Sequence, residues 1–118
     1  MNRTIWTSIG AGLVGATLLA GLAAAQDVIR IGVTEPLTGA FAASGNYVTQ
    51  GAKIAEEQIN AAGGVLGRKI QLVVEDNKSN PTEAVATVEK LIGKDKVPVM
   101  MGAWSSTLTL AVMPKLME

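Results

Sequence analysis

The chain contains neither cysteine nor histidine. Without cysteine there is no disulfide framework and no thiolate metal site. Without histidine, any metal would have to be held by oxygen ligands alone, so zinc, haem and iron–sulfur chemistry are excluded and no cofactor is expected. Neither sign of charge is in surplus: 10 basic and 10 acidic side chains among 118 residues leave a formal net charge of +0. That removes the electrostatic case for nucleic acid, whose phosphates call for a basic excess on one face. Aromatic residues are so scarce that Trp104 is the only tryptophan after Trp6. The length allows one small domain at most.

Charge is also missing locally. After Arg3 there is none until Asp27, and the apolar centre from about Ile9 to Leu22 ends in three alanines, Ala23 to Ala25. Small residues at Ala23 and Ala25 suit signal peptidase. Residues 1–25 therefore read as a cleavable signal peptide, cut between Ala25 and Gln26, that exports residues 26–118. A membrane anchor is the competing reading, since Thr4 to Ala25 is uncharged and long enough to span a bilayer. Its many Gly and Ala residues make it weakly hydrophobic for that role. No cysteine follows the cut to carry a lipid, and there is no twin arginine. The run "GAGLVG", Gly10 to Gly15, matches a dinucleotide fingerprint, but no strand precedes it to aim backbone N–H groups at a pyrophosphate. It is set aside.

Beyond the leader, the periodicity alternates. "VIRIGV" (28–33) reads as a strand, and "TEPLTGAFAASG" (34–45), broken by Pro36, Gly39 and Gly45, reads as a loop. From Asn46 the apolar residues Val48, Ala52, Ala55, Ile59 and Ala62 recur at helical spacing, up to Gly63-Gly64. "KIQLVVED" (69–76) is a second strand. Asn80 as N-cap, Pro81 at the first helical position and Glu83 at the third open a second helix. Ala84, Val85, Val88, Leu91 and Ile92 form its expected buried stripe, and Gly93 its stop. "VPVMMG" (97–102) is a third strand, and the chain is helical again from about Ser105. The expected fold is α/β, a parallel β-α-β-α-β-α sheet with helices on both faces. Near-continuous apolar strands suit such a sheet. Right-handed crossovers bring the strand C-termini to one edge, where open α/β sheets bind ligands. Loops 34–46, 76–80 and 103–107 meet there.

The last of these loops carries "WSST", Trp104 to Thr107. A serine nucleophile needs a base, and no histidine exists; "GAWSS" also lacks the second glycine of a nucleophile elbow. A phosphate cradle needs more glycines and a lysine. Two readings remain, and they are compatible. One hydroxyl caps the final helix, and the helix start, with its free N–H groups, binds a carboxylate. Trp104 is either a pocket wall or a core residue. The adjacent acids Glu75 and Asp76 point to opposite faces of a strand. They do not converge on a metal or amine, and Asp76 helps the turn that follows.

These residues resemble a known family. "PLTGAFAASG", then Gly51-Ala52, "INAAGGVLGRKI", "EDNKSNPTEAVATVEKLI" and "GAWSS" occur in this order, as in periplasmic solute-binding proteins of the leucine/isoleucine/valine type. Those proteins are the extracytoplasmic receptors of ABC importers, and the likeness covers residues 26–118. It implies the first lobe of a type I periplasmic binding protein, with no enzymatic chemistry, in the periplasm. It also implies a membrane permease as partner and a small-molecule ligand held between two lobes. By position, Ser106 takes the role of clamping the ligand carboxylate, with Ser105 and Thr107 beside it. Phe41, Ala43 and Ser44 map to a wall of the cleft. Serine at 44 leaves room that Trp104 fills from the other loop, so the ligand class is an amino acid or an aromatic or aliphatic carboxylate. The alternative is a ligand-sensing domain of the same fold in a receptor or amide-responsive regulator.

The chain stops inside the helix after the third strand, so residues 26–118 are expected to be an incomplete lobe with the second lobe absent. A half-site offering about three hydrogen bonds reaches millimolar affinity at best, once association entropy is subtracted. Sheet edges left unpaired favour aggregation.

Overall fold

The computed structural model describes residues 28–118; the expected signal peptide, its expected cut site and the "GAGLVG" run lie outside them. Strand β1 (Ile29–Glu35) leads to helix α1 (Ala42–Ala61), β2 (Ile70–Asp76), α2 (Pro81–Gly93), β3 (Val99–Gly102) and α3 (Ser106–Leu116). The strands form one parallel sheet in the order β2-β1-β3. Glu35 stands opposite Asp76, and Thr34 lies between Glu75 and Gly102. The Thr34 hydroxyl meets that of Thr87 on α2 at 2.7 Å, so alternate residues of β1 face α2. Among the described residues, no helix is long and apolar enough to cross a membrane.

The main core lies where α2 and α3 pack against the sheet. Ala84, Val88, Ala103, Leu108 and Val112 are buried together there, with Val85 and Met100 against them. The start of α2 is as the sequence reads it: the Asn80 side chain accepts from the N–H of Thr82 at 2.8 Å and of Glu83 at 3.2 Å, with Pro81 following. Within the expected α2 stripe, Ile92 turns out exposed and the polar Thr87 buried.

Helix α1 departs furthest from expectation. It begins at Ala42, four residues before Asn46, so Ala43 and Ser44 sit in a helical turn and not in a loop. Gly45, read as a loop signal, is a close-packing glycine: a Cβ there would stand 2.1 Å from the Pro36 carbonyl oxygen. The inward face of α1 is also rotated. Gly45 and Thr49 are buried, and Ala52, Glu56 and Asn60 are half-buried. Of the expected stripe, Ala52 alone is half-buried, and Val48, Ala55, Ile59 and Ala62 are exposed. The cause is β2, whose outer backbone edge needs partners. The Asn60 side chain accepts from Ile70 N–H at 2.8 Å and donates to the Ile70 carbonyl at 2.8 Å. Glu56 accepts from Leu72 N–H at 2.9 Å.

The ends of two strands also shift. β1 runs two residues past Val33, and β3 starts at Val99 because Val97 N–H bonds back to the Leu91 carbonyl at 3.1 Å.

Candidate functional site

All three strands run in parallel, so their C-termini deliver the 36–41, 77–80 and 103–105 segments to one edge. At this edge Ser105 caps α3, its hydroxyl oxygen accepting from Leu108 N–H at 3.2 Å. That bond supplies a donor of the first turn with a partner. The N–H groups of Ser106 and Thr107 have no acceptor inside the helix, and both side chains are exposed. The 11-residue helix thus opens with two N–H groups that lack an intrahelical acceptor, two exposed hydroxyl residues and the positive end of its dipole.

Beside it stands the aromatic pair. The Trp104 ring packs on Phe41 with centroids 5.0 Å apart and planes tilted by 36°, an arrangement that favours both rings. The pair is not core: Trp104 is 45% exposed and Phe41 36%. Trp104 also adopts φ +66°, a left-handed conformation that costs a bulky residue about 1–3 kcal/mol and recurs at ligand clamps. Of the candidate residues, Phe41 and Trp104 are therefore in direct contact, and Ser105 to Thr107 follow Trp104 directly. Ala43, exposed, and Ser44, half-buried, continue from Phe41 in the first turn of α1.

Glu75 and Asp76 diverge, as expected of neighbours on a strand. Glu75 pairs with Lys90 on α2. Asp76 turns to the loop after β1, where it accepts from Leu37 N–H (2.9 Å), Thr38 N–H (3.2 Å) and the Thr38 hydroxyl (2.6 Å), as well as from Lys78 N–H (2.8 Å). Burial alone would raise its pKa. The Thr38 hydroxyl and the N–H groups of Lys78, Leu37 and Thr38 outweigh burial and hold the carboxyl below its ordinary value. Ser79 adds a second tie, donating to the Thr38 carbonyl at 2.7 Å and accepting from Phe41 N–H at 3.0 Å. Sequence reasoning missed this connection, because nothing local marks a contact across 38 residues. Its one trace is Gly39, at φ +83°, where a Cβ would fall 2.7 Å from the Lys78 carbonyl oxygen. Among the described residues, no cluster of acidic side chains suits a metal ion.

A family model described as periplasmic binding protein matches residues 28–118. An amino acid binding protein of Pseudomonas aeruginosa is 44% identical over 87 residues, covering 74% of this chain and 23% of that protein. The branched-chain amino acid transporter substrate binding protein LivJ of Streptococcus pneumoniae, solved with isoleucine, superposes with a TM-score of 0.74. It is 36% identical, covering 76% of this chain and 26% of that one. A solute binding protein of an ABC transporter from Rhodopseudomonas palustris, solved with 3,4-dihydroxybenzoic acid, is 29% identical with a TM-score of 0.67. That match covers 75% of this chain and 24% of that one. The chain thus spans about a quarter of the length of these relatives, each of which is named for binding and not for catalysis.

Proposed function

The chain belongs to the periplasmic binding protein family, and from that premise we propose that it is part of an extracytoplasmic receptor of an ABC importer, supplying one wall of a cleft for a small carboxylate. The observation that carries this reading is the α3 start beside the Phe41–Trp104 pair: donors for an anion adjoin an apolar surface for its substituent. In this reading the Ser106 and Thr107 hydroxyls and N–H groups take the carboxylate. Ser105 fixes the helix start through its cap, Trp104 and Phe41 face the substituent, and Ala43 and Ser44 extend the wall. The ligand is an amino acid or an aromatic or aliphatic carboxylate, in keeping with the isoleucine and dihydroxybenzoic acid held by two relatives. Residues 1–25 act as the cleaved signal peptide, delivering the protein to the periplasm. A second lobe closes the cleft, and a membrane permease receives the loaded receptor.

Isoleucine and 3,4-dihydroxybenzoate, titrated separately into the ¹⁵N-labelled chain, test the proposal. One wall with about three hydrogen bonds gives a dissociation constant in the millimolar range, with amide shifts concentrated at Ser105 to Thr107. In the receptor with both walls, Ser106→Ala weakens binding by at least about 1.5 kcal/mol, the scale of a hydrogen bond to a charged group. Neither ligand shifting these amides, or an unchanged affinity in Ser106→Ala, overturns the assignment.

A further inference from the structure

The 36–41 segment carries Phe41 but has no ladder of its own, and it is held from across the molecule. Asp76 binds it at Leu37 and Thr38, and Ser79 binds it at the Thr38 carbonyl and again at the Phe41 N–H. Gly39 lets the segment lie flat against the 78–79 turn, where any side chain at 39 would meet the Lys78 carbonyl and the Ser79 hydroxyl. On the other side, Asn46 of α1 donates to the Leu37 carbonyl at 3.0 Å, and Pro36 is packed against Gly45. The free end of this clamp is the Phe41 ring on Trp104. The structure gives Asp76 and Ser79 no bond to Trp104, so any influence they have on it passes through the loop and Phe41.

We propose that Asp76 and Ser79 are the positioning residues of the ligand wall: by clamping the 36–41 loop they hold Phe41 against Trp104, so the aromatic surface offered to a ligand is shaped from the turn after β2. The inference rests on the reading of Trp104 as ligand-facing. It makes two sides of the cleft a single unit: a change at the β2–α2 turn alters ligand selection without touching the ligand. A purely structural role for Asp76 would stabilise the loop and leave Trp104 indifferent.

The test uses the full chain carrying Trp6→Phe, so that Trp104 is the only tryptophan. Acrylamide quenching, the emission maximum and the near-ultraviolet dichroism of Trp104 are read in Asp76→Asn, Ser79→Ala, Thr38→Val and Thr38→Ser. Phe41→Ala sets the scale for an unstacked Trp104. Ser79→Ala and Thr38→Val are expected to raise quenching and weaken the near-ultraviolet band toward the Phe41→Ala values. Thr38→Ser, which keeps the hydroxyl that donates to Asp76, restores the parent signal. Should Asp76→Asn fail to fold, the Ser79 and Thr38 variants decide, since they alter exposed bonds and keep the carboxylate. Unchanged Trp104 signals in Ser79→Ala and Thr38→Val, with far-ultraviolet dichroism intact, overturn the proposal. An isoleucine titration of the same proteins separates the two readings. Loss of isoleucine-dependent amide shifts at Ser106 in the parent defeats the ligand assignment alone, while the Trp104 response still decides the clamp.

Discussion

Glu35 and Asp76 stand opposite each other on neighbouring strands and meet opposite fates. Asp76 gathers four donors, whereas Glu35 is 2% exposed and its Oε2 has no partner. Burial pushes the Glu35 carboxyl above its ordinary value of 4.5, so the folded chain holds this proton more tightly than the unfolded chain. Its contribution to stability is full below pH 4.5 and declines as pH rises through the folded value. Asp76 behaves in the reverse sense. Its folded value lies below 3.8, so its contribution is full above that pH and lost as pH falls through the folded value. We expect Glu35→Gln to match the parent in urea melts at pH 4 and to exceed it at pH 7.5 by about 1–3 kcal/mol, the cost of a buried unsatisfied group. Equal stability at both pH values would show that the carboxylate is solvated. In the parent, Asp76 is expected to cost stability as pH falls from 4 to 2, and Asp76→Asn is expected to reduce that loss.

At the level of elements, most of the fold was legible because its signals are local. Asn80-Pro81 and the hydroxyl run Ser105 to Thr107 announce helix starts through short-range capping chemistry, and both caps form, the second at Ser105. The alternation of apolar runs with helical spacing was enough to order the six elements. What escaped the sequence depends on partners far along the chain. Gly45 reads as a breaker until Pro36 is placed against it, and Asp76 reads as a turn residue until the loop 38 residues earlier arrives. The rotated face of α1 has the same origin. An apolar-inside rule sends Glu56 and Asn60 outward, but an open strand edge draws hydrogen-bonding side chains inward. The consequence is measurable at one residue. Asn60→Ala removes both side-chain bonds to Ile70, and we expect a destabilisation of about 1–3 kcal/mol. Amide exchange should accelerate at Ile70 more than in the β1–β3 pair, and uniform acceleration would mean that Asn60 does not guard this edge specifically.

For the molecule as a whole, the two edges of the sheet are unequal, which refines the expectation that unpaired edges promote aggregation. On the β2 side, Glu56 and Asn60 occupy backbone groups that another chain would use. On the β3 side, no strand among the described residues pairs with the outer edge. Val99, 51% exposed, and Met101 lie on that strand, and β3 carries no charge or proline of the kind that blunts natural edges. Apolar exposure elsewhere, from Tyr47 and Ile54 on α1 to the 94% exposed Leu66 in the turn before β2, is not accompanied by free strand edges. Self-association should therefore run through β3. Val99→Lys places a charge on the open edge and keeps the backbone groups of the β1–β3 ladder, and it is expected to suppress concentration-dependent light scattering. Tyr47→Lys, on α1, should leave scattering near the parent level. The opposite ranking would shift the adhesive surface from the sheet edge to the helix, and with it the account of why β2 is guarded and β3 is not.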